Sequence, residues 1–130
     1  MTAPGAGPLR VSLAHTADRA VALVRAGAGP GVGVDVEPIA PRAASFTAVA
    51  FTDAELALGA GRPADEWMTR LWTAKEAAAK ARGTGLGDPR RTPVRAADGD
   101  RLDVDGVIVE TRRDGDLVVA WTLDEAAATP

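Results

Sequence analysis

The stretch VGVDVEP, residues 32–38, alternates between valine and other residue types until its final proline. Successive side chains on a β-strand face opposite sides of the sheet, so the valines would point one way and Gly33, Asp35 and Glu37 the other. The two carboxylates would then share one face, roughly 6 to 7 Å apart along the strand. The pattern predicts a strand whose charged face is either bare to water or covered by a cation.

The composition is typical of one globular domain and excludes several classes of protein. The chain has 130 residues, 46% hydrophobic and 25% charged, with a net charge of -3. This balance argues against a nucleic-acid surface, and no apolar segment is long enough to cross a membrane. Because there is no cysteine, disulfides, thiolate zinc sites and a cysteine nucleophile are excluded. The first residues lack the basic start and apolar run of a signal peptide, so we expect a cytoplasmic protein.

Apolar runs predict two hairpins besides the opening strand. LRVSLAH, from Leu9, and RAVALVRAG, from Arg19, are separated by a short turn and would pair with each other. GVIVETR and DLVVAWTL would pair around the turn RDGD. We expect flexible ends at residues 1–8 and 124–130.

Two segments have helical patterns. An apolar stripe predicts a long helix over about Ala64–Arg82, ended by Gly83. A shorter helix would begin after Thr52, with Glu55 placed to complete a capping box. Together the elements predict a single α+β domain over residues 1–130, with a mainly antiparallel sheet packed against one long helix and a shorter one.

The long helix carries an unusual group of residues. Trp72, Glu76 and Lys80 are spaced by four and would line one side of the helix, with Lys75 next to that line. The chain has only two lysines against thirteen arginines, which makes both lysines conspicuous. On their own, Glu76 and Lys80 would form an exposed ion pair worth roughly a few tenths of a kcal/mol.

The strand and helix carboxylates together allow a second interpretation. Asp35, Glu37 and Glu76 could converge on a hard divalent cation such as magnesium, which prefers oxygen ligands and keeps waters and substrate phosphates in its shell. Without the metal these carboxylates would repel one another, and at least one pKa should rise. Lys75 and Lys80 would then be available to bind phosphate.

These stretches resemble a known family. VGVDVE, FTDAE and WTAKEAAAKARGTGL are similar to three successive signature motifs of the 4′-phosphopantetheinyl transferases. SLAHT resembles the extra upstream motif of the surfactin-type branch, which carries serine where Ala14 stands. The resemblance runs from about Ser12 to Leu86. It implies a magnesium-dependent enzyme that moves the phosphopantetheine arm of coenzyme A onto a serine of an acyl or peptidyl carrier protein and releases 3′,5′-ADP.

The resemblance also implies roles for individual residues. Asp35, Glu37 and Glu76 would hold magnesium on the pyrophosphate of coenzyme A, and Lys80 would contact that pyrophosphate. Either Glu76 or a metal-bound water would deprotonate the carrier serine.

Four further residues take expected roles from the same motifs. Glu55 would help to order the water or the base, besides its capping role. His15 matches a histidine that contacts a coenzyme A phosphate, with Ser12 in the same motif, although a lone histidine at a strand end is more often structural or exposed. Lys75 would be a second phosphate-facing lysine.

The length departs from the surfactin-type pattern, in which two similar halves enclose coenzyme A. This chain resembles the second half with its leading hairpin, while the short holo-carrier-protein synthase branch has this length and is trimeric. We therefore expect a homo-oligomer, dimer or trimer, with coenzyme A at the subunit interface. The alternatives are a non-catalytic homologue that binds coenzyme A or a carrier protein, and one subunit of a two-chain transferase. Arginines that could meet an acidic carrier helix are Arg42, Arg62, Arg70 and Arg82.

Overall fold

The structure is a computed structural model that describes residues 7–123. In chain order the elements are β1 (Leu9–Thr16), β2 (Arg19–Ala26), β3 (Val34–Pro38), α1 (Ala44–Ala50), α2 (Asp53–Leu58), α3 (Ala64–Arg82), a one-turn 3-10 helix (Pro89–Arg91), β4 (Val94–Asp98), β5 (Arg101–Val104), β6 (Val107–Asp114) and β7 (Leu117–Thr122). Within residues 7–123 all strand pairs are antiparallel, and the larger sheet has the order β3-β7-β6-β5-β4. The predicted α+β class is confirmed.

Most predicted elements lie where the sequence places them. The β1–β2 and β6–β7 hairpins, the helix α2 and the long helix α3 are confirmed. Helix α1, which has no capping side chain, and the short strands β4 and β5 were not predicted. The expected flexible ends fall largely outside the described residues. Within those residues, no helix is both long and apolar enough to cross a membrane.

Local signals explain the bounds of the helices. Helix α2 begins with the predicted capping box, in which Thr52 Oγ1 accepts from the Glu55 N–H and Glu55 Oε1 accepts from the Thr52 N–H. Helix α3 ends at Gly83, whose φ of 72° is left-handed and suits glycine. One face of α3 covers the larger sheet. The core between them consists of Ala50, Phe51, Trp67, Leu71, Ala74, Ala77, Ala78, Val94, Leu102, Val104, Val109 and Ala120.

Glycine allows the start of β3 to lie directly on the backbone of α3. A Cβ atom on Gly33 would overlap the carbonyl oxygen of Ala77, and one on Gly31 would overlap that of Ala81. Gly33 is also fixed from the other side, because its N–H donates to Thr122 Oγ1 at 3.0 Å. The strand and the helix therefore approach more closely here than any larger residue would permit.

The β1–β2 hairpin covers the opposite side of β3 and β7. Ala14 packs there with Val34, Val36 and Leu117 in a second, smaller core. Ser12 Oγ accepts a hydrogen bond of 3.1 Å from the Val34 N–H. Because Val34 and Val36 face the hairpin, alternation turns the two carboxylates of the strand toward α3.

Replacing Gly33 by alanine should lower the free energy of unfolding by about 2 kcal/mol or more, because backbone atoms of α3 must move to admit the new Cβ. Chemical denaturation measures the loss. Gly85→Ala is the matched control, since a Cβ there meets no atom within 4 Å. Equal stability of the two variants would contradict the close approach.

Candidate active site

Asp35 lies at the centre of a charged cluster between β3 and α3. The residue is only 7% exposed, so the expectation of a strand face bare to water is wrong for this carboxylate. Its Oδ1 lies 3.5 Å from Lys80 Nζ. Its Oδ2 is buried and has no hydrogen-bond partner within the described part of the chain. A buried carboxylate oxygen without a donor favours either a proton or a bound cation.

Lys80 joins the end of α3 to both β1 and β3. Its ammonium donates to the Val34 carbonyl at 2.9 Å and to the Leu13 carbonyl at 3.2 Å, besides its contact with Asp35. The described ion pairs place Lys80 on Asp35 and not on Glu76, so the predicted exposed pair along the helix is wrong. The side chain is 36% exposed, and a ligand oxygen can therefore reach the ammonium from solvent.

Burial and neighbouring charge raise the pKa of two carboxylates of the cluster, Asp35 and Glu76. Burial raises the pKa of Asp35 to about 7, with the charge and side-chain hydrogen bond of Glu37 adding to the rise and Lys80 opposing it. Burial also raises the pKa of Glu76, the Asp35 charge adds to it, and Lys80 lowers it. The cluster therefore carries unbalanced negative charge.

This donor set suits a hard cation that is completed by other ligands. Within residues 7–123 no three acidic, histidine or cysteine side chains come close enough to form a closed metal site. Magnesium, however, is usually held by one or two carboxylates together with waters and substrate phosphates. The Oδ2 of Asp35, which has no hydrogen-bond partner in the described part of the chain, fits that mode of binding. Glu37 and Glu76 are near enough for their charges to interact with that of Asp35.

Lys75 takes part in a different, fully buried ion pair. Its Nζ lies 2.7 Å from Glu55 Oε2, and the side chains are 0% and 1% exposed. The same ammonium donates to the carbonyls of Pro89 at 2.7 Å and Ala50 at 3.3 Å. Burial lowers the pKa of Lys75, and Glu55 opposes that shift. Five positions on a helix correspond to about 140° of rotation, so Lys75 and Lys80 point to different sides of α3.

Glu55 is likewise occupied by structural contacts. Besides the capping bond and Lys75, its Oε2 accepts from the Val94 N–H at 2.7 Å. The pair thus connects α3 to the end of α1, the start of α2, the 3-10 helix and β4. This burial argues against the expected phosphate contact of Lys75 and the expected water-ordering role of Glu55.

The two residues of the SLAHT motif occupy different environments. Ser12 is buried and binds the Val34 N–H, so it positions β3. His15 is exposed near the end of β1, two residues beyond the Leu13 carbonyl that Lys80 contacts. Ala14, where the family motif carries serine, is buried against Val34.

The four arginines expected to meet a carrier protein all have internal contacts. Arg70 is 5% exposed and binds Glu66, Asp100 and Thr111. The other three bind Gly99 and Asp100 (Arg62), Thr69 (Arg42), and the carbonyls of Val104 and Asp105 (Arg82). The burial of Arg70 argues against that expectation, because its guanidinium fastens α3 to the β-sheet.

Sequence reasoning missed the backbone part of the site. Nothing in the residue types marks the carbonyls of Leu13 and Val34 as contacts of Lys80. The glycines at 31 and 33 were the available signal for close packing on α3. Glycine in a strand often marks a close approach of another backbone, and the small side chains of an alanine-rich helix permit one.

The chain belongs to the 4'-phosphopantetheinyl transferase superfamily, whose family model matches residues 31–129. The resemblance of the three motifs within this range is thereby confirmed, whereas SLAHT lies before it. The matched range contains the whole cluster of Asp35, Glu37, Glu76 and Lys80, and it begins after the β1–β2 hairpin. Members of the family use coenzyme A and carrier proteins as substrates and are typically metal-dependent. No curated protein matches the chain.

Metal-free protein should lose stability as the pH rises through the range of Asp35. Its pKa is raised from 3.8 to about 7, so between these values the native state retains a proton that the unfolded chain has released. The free energy of unfolding therefore falls with rising pH. Asp35→Asn should remove this dependence and be at least about 1 kcal/mol more stable than the parent at pH 8.

Urea denaturation at several pH values in EDTA measures this effect. Asp18→Asn, in the exposed β1–β2 turn, is the control and should retain the parent's pH dependence. Identical pH profiles for Asp35→Asn and the parent would show that folding does not disfavour the ionised form of Asp35.

Lys75→Met should lower the free energy of unfolding by about 3 kcal/mol or more, because it leaves Glu55 buried without its cation. Lys80→Met, the other lysine of the same helix, should cost clearly less, since its ammonium is partly solvated. Thermal and chemical denaturation compare the two variants. A larger loss for Lys80→Met would reverse the structural assignment of the two lysines.

Proposed function

We propose that this chain transfers the 4′-phosphopantetheine arm of coenzyme A to a serine of an acyl or peptidyl carrier protein in a magnesium-dependent reaction, releasing 3′,5′-ADP. One observation carries the proposal: in a member of this family, the buried Asp35 keeps an oxygen without a donor beside Lys80. We further propose that residues 1–130 form one transferase domain.

We propose Asp35, Glu37 and Glu76 as the metal ligands, drawn together by the bound cation, because without it the described residues form no closed group of three. When bound, magnesium would supply positive charge beside the pyrophosphate of coenzyme A and so favour the departure of 3′,5′-ADP. The raised pKa values of Asp35 and Glu76 support this assignment, because burial and then a neighbouring carboxylate disfavour the negative charge at both residues, and a bound cation would offset that cost.

Lys80 would bind a phosphate oxygen of coenzyme A. Its ammonium is held by two carbonyls and one carboxylate, so its position is fixed before the ligand arrives. One of these contacts must weaken when a phosphate binds, and the longest of them is the 3.5 Å contact with Asp35. His15, exposed on β1, would contact a second phosphate, and Ser12 would act through the position of β3.

The reaction requires a base for the carrier serine. The serine Oγ attacks the phosphorus that bears the pantetheine arm, the bond from that phosphorus to the oxygen of 3′,5′-ADP breaks, and the serine proton is taken up by a carboxylate. Glu76 is our candidate for this role, as the family motif implies. Glu55 and Lys75, which are buried together, would instead hold the orientation of α3.

We propose that the chain works as a homo-oligomer with coenzyme A at the subunit interface. The cluster lies where β1, β3 and α3 meet, and it is half-exposed at Lys80, so one side of the ligand would be left for a neighbouring copy to contact.

The alternative is a non-catalytic homologue that binds coenzyme A. Such a protein would bind coenzyme A in the presence of magnesium and release no 3′,5′-ADP.

Intact-mass spectrometry of an apo carrier protein, incubated with this chain, coenzyme A and magnesium, tests the proposal. We expect the carrier to gain one phosphopantetheine arm, and EDTA to prevent the gain. Asp35→Asn and Glu76→Gln should reduce the rate by about 100-fold or more, the usual scale for a positioned charge or base. Lys80→Met should raise the KM for coenzyme A.

Asp18→Asn serves as the control and should transfer at the parent rate. No mass gain with several acyl and peptidyl carriers, together with retained binding of coenzyme A, would establish the non-catalytic alternative. Full activity of Asp35→Asn would contradict the assignment of the metal ligands.

A further inference from the structure

The β1–β2 hairpin supplies one of the contacts that hold Lys80, although it forms a sheet of its own. Within residues 7–123 no strand pairing joins the hairpin to the larger sheet. The carbonyl of Leu13 on β1 nevertheless accepts a hydrogen bond from Lys80 Nζ at 3.2 Å. The hairpin also precedes the range that matches the family model. The position of Lys80 therefore depends on how this additional element lies against the rest of the fold.

Apolar packing alone defines that position weakly. The side chains between the hairpin and the larger sheet leave a pocket of about 250 Å³, lined by Val21, Ala22, Leu23, Val34, Val119 and Trp121. Protein interiors normally contain few voids larger than a water molecule, so the packing here is incomplete. Apolar contacts also have no preferred direction. Polar contacts with a defined geometry are needed to fix the hairpin on the sheet.

Arg25 makes such a contact between the hairpin and β7. It lies on the same face of β2 as Val21 and Leu23, which pack on the larger sheet. Its Nη2 donates to the carbonyl of Thr122. Thr122 is only 2% exposed, so the guanidinium binds a buried part of the fold. Arg19, at the other end of β2, binds Asp114, but that pair is about half exposed.

Thr122 also fixes the segment that carries the other carbonyl contact of Lys80. Its N–H donates to the Gly33 carbonyl at 2.9 Å, and its Oγ1 accepts from the Gly33 N–H at 3.0 Å. The next residue, Val34, accepts from Lys80 Nζ through its carbonyl at 2.9 Å. Thr122 is thus the point at which the hairpin and β3, the two sources of these carbonyls, are both bound.

We propose that Arg25 is a positioning residue for Lys80. By binding Thr122, it holds the hairpin where the Leu13 carbonyl meets the Lys80 ammonium. Strands β1 and β2 pair regularly from one end to the other, which carries the constraint from Arg25 to Leu13. The effect of Arg25 on coenzyme A rests on the proposed function, whereas its effect on Lys80 does not.

Acetylation of the full chain with acetic anhydride, located by mass spectrometry, tests the effect on Lys80 without coenzyme A, magnesium or carrier protein. Lys75 and Lys80 are the two lysines of the chain, and the buried Lys75 is the internal reference for folding. We expect Arg25→Met to label Lys80 at least about threefold faster, because its ammonium loses an acceptor and is reached more easily. Arg25→Lys retains a donor for the Thr122 carbonyl and should label at an intermediate rate.

Arg95→Met is the matched control. It removes an arginine that binds Asp105 from β4, at the opposite edge of the larger sheet from β3. We expect this variant to label at the parent rate and to transfer at the parent rate. Circular dichroism and the melting temperature verify that every variant is folded.

Steady-state kinetics test whether Arg25 acts through Lys80. Arg25→Met should raise the KM for coenzyme A by about threefold to tenfold, the usual scale for one hydrogen bond, with a smaller change in kcat. In the Lys80→Met background the same substitution should have no further effect on the KM, because the residue through which it acts is gone. A residue that merely stabilised the fold would have the same effect in both backgrounds.

Equal labelling of Lys80 in Arg25→Met and Arg95→Met would overturn the proposal. An undiminished effect of Arg25→Met on the KM in the Lys80→Met background would also overturn it. A parent that transfers nothing contradicts the proposed function, and the labelling rates then decide the role of Arg25. An active parent whose Lys80 labels at the same rate with and without Arg25 contradicts the positioning role alone.

Discussion

The candidate site depends on one contact. The two glycines just before β3 lie directly against the backbone of α3. Gly31 and Gly33 have no side chain to separate the strand from the carbonyls of Ala77 and Ala81. Two residues further along the strand, Asp35 consequently enters the gap between sheet and helix instead of facing water. The charged cluster is thus produced by backbone packing, and the packing is possible only because the helix presents alanines at this point.

The two lysines of α3 form ion pairs with different roles. Glu55 and Lys75 each have two additional hydrogen bonds, so their burial is compensated and the pair stabilises the junction of five elements. Asp35 and Lys80 are joined at a longer distance, and one oxygen of the carboxylate has no donor. A hydrogen-bond network in which every group has a partner stabilises the fold, whereas one with an unpaired oxygen can still bind an ion or a ligand.

The sequence predicted local structure better than it predicted the site. Caps and periodicity located α2 and α3, because those signals act within a few residues of the chain. The separation of Lys75 from Lys80 follows from helix geometry and was available from their spacing. The burial of Asp35 and the carbonyl contacts of Lys80 depend on residues more than forty positions apart, and no local pattern records them.

The alternation of β3 has a consequence for how reliably the strand finds its partner. A slip of one residue against β7 would turn Asp35 and Glu37 under the hairpin, among Ala14 and other apolar side chains, and would turn the valines toward Lys80. Burying two charges there would cost far more than an ordinary misalignment. The carboxylates therefore make incorrect strand pairings unstable during folding. The same two residues destabilise the folded domain and select the correct register of β3.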